Sequence, residues 1–262
     1  MTTTLAAAPV SPASPQAPRD SSAAARVVAV LAIVLGALVV LGTAFSAVGS
    51  TVASSLVHTE TRSLAGARFD ALDVDLQAGS LAVVFVEGQD APELEVTGRA
   101  GADDWTISVD EGTLHVASPD GPFGPGWWFG GAGRAVLRLP ATAQGALGAD
   151  FDVSAGRLTV SGDIADLDVT LSAGSAKLVV GDVRTATLAV SAGALTSRFT
   201  GSQPTSIVAD VSAGSLTMRV PDGAYDIRSD VSAGGFDSRV ASTPGASSTI
   251  DVQLSAGHVT LR

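Results

Sequence analysis

From Arg68 onward, apolar and polar side chains alternate in short runs, and a recurring triplet punctuates the runs. Ser-Ala-Gly stands at 154–156, 172–174, 191–193, 212–214, 232–234 and 255–257, with Gln77-Ala78-Gly79 as a seventh copy. From Ser154 the successive intervals are 18, 19, 21, 20 and 23 residues. Intervals this regular predict units that bury their apolar faces by stacking on one another. One residue before the triplet stand Leu76, Val153, Leu171, Val190, Val211, Val231 and Leu254; three before it stand Val74, Phe151, Val169, Leu188, Ala209, Ser229 and Val252. These positions share a parity, so they share one face of a strand, the predicted interior. Past the Gly the parity switches. Four residues after the first position of the triplet stand Leu81, Leu158, Ala176, Leu195, Leu216, Phe236 and Val259. An apolar set that changes parity across a Gly predicts a corner between two strands, where Gly takes a backbone conformation that a Cβ disfavours. The Ala after the first position in every copy predicts a corner too tight for a larger inward side chain, with the Ser facing water.

Helical readings fail on the same segments, because period-2 alternation rich in β-branched residues is broken by Gly in every unit. The expected fold is all-β: a single-domain β-solenoid with parallel rungs of about 18–23 residues, spaced roughly 4.8 Å apart. Residues 81–140 are less regular. Leu81–Val86, Glu93–Thr97 and Ala135–Leu139 read as strands, the last stopped by Pro140. Trp105–Val109 and Thr113–Ala117 read as a hairpin around Asp110-Glu111-Gly112. Residues 121–133, rich in Gly and Pro, read as a loop. The last rung, Val252–Arg262, is expected to form the open edge of the stack, and Asp210 and Asp230 to neighbour each other on adjacent rungs.

The first quarter of the chain follows other rules. Residues 1–25 hold Pro9, Pro12, Pro15 and Pro18 among Ala, Ser and Thr, too little apolar surface to offset ordering, and read as a disordered cytoplasmic tail. No charge occurs between Arg26 and Glu60, and Val27 to Val48 is apolar throughout. As a helix this run reaches roughly 33 Å, enough for a hydrocarbon core. Residues 26–49 are therefore expected to be a transmembrane helix and 50–67 a linker. A signal peptide cut near Ala44-Phe45-Ser46 or Ala47-Val48-Gly49 is the competing reading, but the leader and the apolar run are both longer than a signal peptide needs. Arg26 abuts the span while its far side opens with Gly49-Ser50-Thr51, which favours an N-terminus inside and residues 68–262 outside the cytoplasmic membrane.

Composition narrows the chemistry. The 262 residues include no cysteine, so disulfides, thiol catalysis and Cys-ligated metal centres are excluded. The formal charge of −11 argues against a broad nucleic-acid-binding surface. His58, His115 and His258 lie far apart, in no metal-binding or catalytic spacing, and no nucleophile elbow or phosphate loop is present. The reading is a non-enzyme without cofactor, metal or catalytic residue. The pairs Asp73/Asp75, Asp150/Asp152 and Asp166/Asp168 lie on an outward strand face; a solvated acidic face is favoured over a bridging cation, since a calcium repeat is absent.

The early Val-Asp-Leu-Gln-Ala-Gly-Ser-Leu, the Val-Leu-Arg-Leu-Pro at 136–140 and the serial Asp-Val-Ser-Ala-Gly-x-Leu rungs, behind an N-terminal span, resemble one bacterial family. It is the putative-adhesin β-solenoid family, a domain of unknown function related to membrane-anchored envelope-stress accessory proteins. The resemblance covers about residues 68–262. It implies architecture and no catalytic residue.

The functional expectation is a single-pass membrane protein displaying an acidic β-solenoid as an adhesin-like binding or scaffold module. Its expected partner is a cell-envelope protein or glycan. The alternative is a regulatory accessory to an envelope-stress sensor system. The candidate contact residues are Phe123, Trp127, Trp128 and Phe129, four aromatics within seven residues. Two readings of them stand: rings folded back onto the stack, or an exposed platform for a partner or lipid interface.

Overall fold

The computed structural model describes residues 58–98, 104–119 and 133–262. The expected tail (1–25) and transmembrane helix (26–49) lie outside them, and among the described residues no helix is long and apolar enough to cross a membrane. Fourteen strands form one sheet: β1 (His58–Ser63), β2 (Ala71–Leu76), β3 (Gly79–Val86), β4 (Glu93–Gly98), β5 (Thr106–Asp110), β6 (Thr113–Ala117), β7 (Arg134–Pro140), β8 (Gly148–Asp163), β9 (Asp166–Gly181), β10 (Thr185–Thr200), β11 (Ser206–Arg219), β12 (Tyr225–Val231), β13 (Gly235–Ser238) and β14 (Ser248–Leu261). Apart from one 3-10 turn at Ala141–Ala143, the described regular structure is all β.

β8, β9, β10 and β11 pair in parallel, each strand on the next in sequence. Gly156 lies opposite Gly174 and Gly174 opposite Gly193, so the triplets stack in register. Each long strand folds back on itself. β8 has 16 residues, which would extend about 50 Å if straight. Yet the Gly145 N–H donates to the Asp163 carbonyl at 3.1 Å, and the Ala165 N–H to the Leu147 carbonyl at 2.9 Å. The residues flanking the strand's start thus bond those at its end.

The interior is the set that the alternation selects. Phe151, Val153, Val169, Leu171, Leu188 and Val190 are fully buried before the corner, and Leu158, Ala176 and Leu195 after it. Burying each Leu, Val or Phe side chain stabilises by about 1.5–3 kcal/mol.

The corner itself differs from expectation. Ala155, Ala213, Ala233 and Ala256 are exposed, and Ala78, Ala173 and Ala192 only half-buried. The tight residue is the glycine: a Cβ would lie 2.7 Å from the Gly79 carbonyl oxygen if built on Gly156, and 2.8 Å from that of Gly174 if built on Gly193. Gly156, Gly193 and Gly214 have no left-handed φ, so there the close approach of the preceding rung, more than backbone handedness, demands glycine.

Rung order also differs. β14 pairs with β11 on one side and with β12 and β13 on the other. The last rung in sequence is therefore interior, and the copy holding Ser232-Ala233-Gly234 is terminal. Its inward positions are weak: Ser229 and Val231 are exposed and Phe236 only half-buried, whereas Val252, Leu254 and Val259 are buried. The rung with more apolar surface takes the two-sided position. Tyr225, fully buried, holds the start of the terminal rung, its hydroxyl donating to the Pro221 carbonyl at 3.1 Å.

At the other end β2 and β3 form the rung below β8, with β6 parallel on β2 and β7 parallel on β3. β5 then pairs antiparallel with β6, β4 with β7, and β1 with β4. The β5–β6 hairpin follows the expected turn, with Glu111 and Gly112 both at positive φ. The segment expected as a linker, 50–67, contains β1. Its alternation is carried by Thr59, Glu60, Thr61 and Arg62, so no apolar signal marks this edge strand.

Candidate functional site

β6 and β7 rest on the two arms that flank the Gln77-Ala78-Gly79 corner, and the chain between them is the segment that carries the aromatic cluster. Its departure point is built into the corner. The Ser118 N–H donates to the Asp75 carbonyl at 2.9 Å. The Ser118 hydroxyl oxygen accepts from the backbone N–H groups of Gln77 at 2.8 Å and Ala78 at 3.3 Å. On return, the Gly133 carbonyl accepts from the Ser80 N–H at 3.2 Å. Ser118 and Gly133 therefore both stand at the Gln77-Ala78-Gly79 corner, on which the triplet of β8 stacks in register. Phe123, Trp127, Trp128 and Phe129 lie outside the described residues.

The outward face of the arm before the corner is acidic. Asp73 lies opposite Asp150 and Asp150 opposite Asp168, with Asp75 opposite Asp152 in the next column. His115 extends the first column, its Nδ1 3.1 Å from an Asp73 carboxylate oxygen. Partial desolvation, then the charges of Asp168, Asp73 and Asp152, push the Asp150 carboxyl above the usual carboxylate range. Beyond this column the acidity is relieved: Asp166 accepts from the Thr185 hydroxyl at 2.6 Å and pairs with Arg184, and both hold its carboxyl below the ordinary range. Asp210 and Asp230 are not neighbours; Gln253 of β14 stands between them. Among the described residues no group of three or more His, Asp or Glu side chains is placed to hold a metal ion.

A second charged feature escaped the sequence reading. Arg198, Arg219, Arg239 and Arg262 each stand seven residues after the Ser of their triplet. The alignment that locates the interior contains this column at an outward position, where alternation predicts exposure and nothing more.

No family model and no curated protein matches the chain. Solved structures similar to it include a putative cell adhesion protein from Clostridium sporogenes ATCC 15579, 11% identical, covering 79% of this chain and 100% of that one with a TM-score of 0.47. A putative adhesin from Bacteroides fragilis NCTC 9343 is 14% identical over 80% of this chain and 98% of its own, with a TM-score of 0.39. A putative lipid binding protein from Parabacteroides distasonis ATCC 8503 is 14% identical over 78% of this chain and 97% of its own, with a TM-score of 0.32.

Proposed function

We propose that this protein is a non-catalytic, adhesin-like binding module: a β-solenoid held outside the cytoplasmic membrane by the apolar span at 26–49. Closed, in-register parallel rungs support the solenoid reading. The uninterrupted apolar run beside Arg26 supports the anchor.

The observation that carries the binding reading is where the aromatic segment is bracketed. Between β6 and β7 the sequence places Phe123, Trp127, Trp128 and Phe129, and the bracketing Ser118 and Gly133 are both bonded at the Gln77-Ala78-Gly79 corner. An aromatic cluster of this kind suits capture of a cell-envelope protein or glycan, because such rings give large contact area with few rotors.

The test compares the full chain with Trp127→Ala/Trp128→Ala in crosslinking capture from intact membranes, alongside thermal melts. Loss of captured envelope material with an unchanged melt is expected. Identical capture by both proteins overturns the aromatic site. A large fall in melting temperature assigns the rings to packing. Protease added to spheroplasts should digest residues 68–262 while sparing an N-terminal tag; protection of that region overturns the topology.

A further inference from the structure

Four neighbouring strands present an arginine at the same level. Arg198 of β10 lies opposite Arg219 of β11. Arg262, at the end of β14, lies beside Arg219: its N–H donates to the Met218 carbonyl, and its carbonyl accepts from the Val220 N–H, both at 2.9 Å. Arg239, following β13, continues the row, its N–H donating to the Leu261 carbonyl at 2.8 Å. All four are exposed. Among the described residues none has an Asp or Glu carboxylate within ion-pair distance, although the chain carries 26 Asp and Glu against 15 Arg and Lys. Like charges side by side on adjacent strands repel, so the row is a cost that the fold alone does not offset.

The next outward column runs Lys177, Thr196, Thr217 and Thr260, and Lys177 is the only lysine of the chain. Between the two columns lies a groove of about 390 Å³, whose lining includes Lys177, Thr196, Arg198, Arg219 and Arg262, with the exposed Val179 of β9 opposite Arg198. Guanidinium groups with hydroxyls alongside form a surface for oxyanions borne on a hydroxyl-rich chain.

We propose that this strip binds a linear polymer bearing carboxylate or phosphate groups. At strand spacing the four arginines span roughly 14 Å, so they engage several successive charges where a single small anion would meet two. The row is one residue wide, which suits a thin chain. A nucleic-acid duplex is far wider than the row and would bring its phosphates against the rest of an acidic protein, whereas a thin chain stays over the arginines. The site is independent of the aromatic segment proposed above, since it lies on the arm after the corner and on the later rungs.

Fluorescence anisotropy of the full chain tests this, with labelled polygalacturonate and inorganic polyphosphate as carboxylate and phosphate probes, and with labelled dextran and duplex DNA as further arms. Saturable, salt-sensitive binding of at least one acidic probe is expected, weakened about tenfold or more in Arg198→Gln/Arg219→Gln. Arg157→Gln, two columns away, should bind as the unaltered chain does, and all variants should retain its melting profile. Whichever probe binds identifies the oxyanion. Equal binding by the double variant, acidic probes bound no better than dextran, or DNA bound as well as either probe overturns the proposal. Sedimentation showing a dimer that the double variant loses, with no probe bound, assigns the strip to a second copy instead.

Discussion

Gly214 backs onto the carbonyl oxygen of Gly193: a Cβ built on it would lie 2.6 Å from that oxygen and 2.7 Å from a methyl group of Val190. Two parallel rungs meet there with no room for a side chain. Gly214→Ala should therefore force the rungs apart and destabilise by about 1–3 kcal/mol. Ser212→Ala and Ala213→Leu, at exposed positions of the same corner, should stay within about 0.5 kcal/mol of the unaltered protein. Thermal and urea melts of the three variants check the ranking; an equal loss for Ala213→Leu would mean that the corner's inward residue is the alanine.

The contrast shows what a single sequence conveys about a repeat. Val153 and Leu158 could be placed inside because strand alternation is local, and one residue's parity determines its neighbours'. The corner breaks that alternation over three residues, so parity no longer says whether Ala213 or Gly214 faces the next rung. Rung order was hidden for another reason. Every copy has the same apolar frame, so Val211 accepts either Val231 or Leu254 as a neighbour, and only the polar Ser229 marks the copy unsuited to an interior place. The aromatic residues were legible as a cluster, but that the bracketing Ser118 and Gly133 stand at a corner required the pairing of β6 and β7 with β2 and β3.

Asp150 has a pH signature. Its carboxyl is raised in the folded state, first by desolvation and then by Asp168, Asp73 and Asp152. Between the ordinary carboxylate value and the raised one, the folded protein binds more protons than the unfolded chain, so stability falls as pH rises through that window. Asp150→Asn should raise the melting temperature at pH 7, and the gain should shrink as pH falls below the raised value. Asp166, held low by Thr185 and Arg184, predicts the reverse: Asp166→Asn should lower the neutral melt, and the difference should fade on acidification. Melting curves across pH 3 to 8 separate the two.

Ser197 is an inward residue between Leu178 and Met218, 1% exposed, and its hydroxyl has no hydrogen-bond partner among the described residues. Burying an unpaired hydroxyl costs about 1–3 kcal/mol. Ser197→Ala should therefore raise stability, by about 1 kcal/mol after the loss of packing around the removed oxygen. A lower urea midpoint for the variant would show that the hydroxyl is satisfied.

The interior position of β14 predicts an outsized effect of a short truncation. Removing 248–262 deletes the strand that, among the described residues, alone pairs with β13 and is the ladder partner of β12, so it strands a second rung as well as removing one. Hydrogen exchange on the truncated chain should show residues 225–240 unprotected and the β11 amides newly exchanging, with β8 and β9 still protected. Retained protection at Tyr225–Val231 would mean that β12 can dock on β11 directly.

A stack of equal rungs has no inherent length, and its last strand is a template for the next molecule. If β14 were that strand, it would offer a backbone edge 14 residues long, with its inward apolar residues covered on one side alone. Instead the face of growth is two short pieces, β12 and β13, broken at Ser232-Ala233-Gly234 and carrying Asp226, Arg228, Asp230, Asp237 and Arg239. Short, charged, interrupted edges resist further pairing. Placing β14 inward and a poorer copy outside thus leaves this face of a periodic object with the edge least suited to further strand pairing.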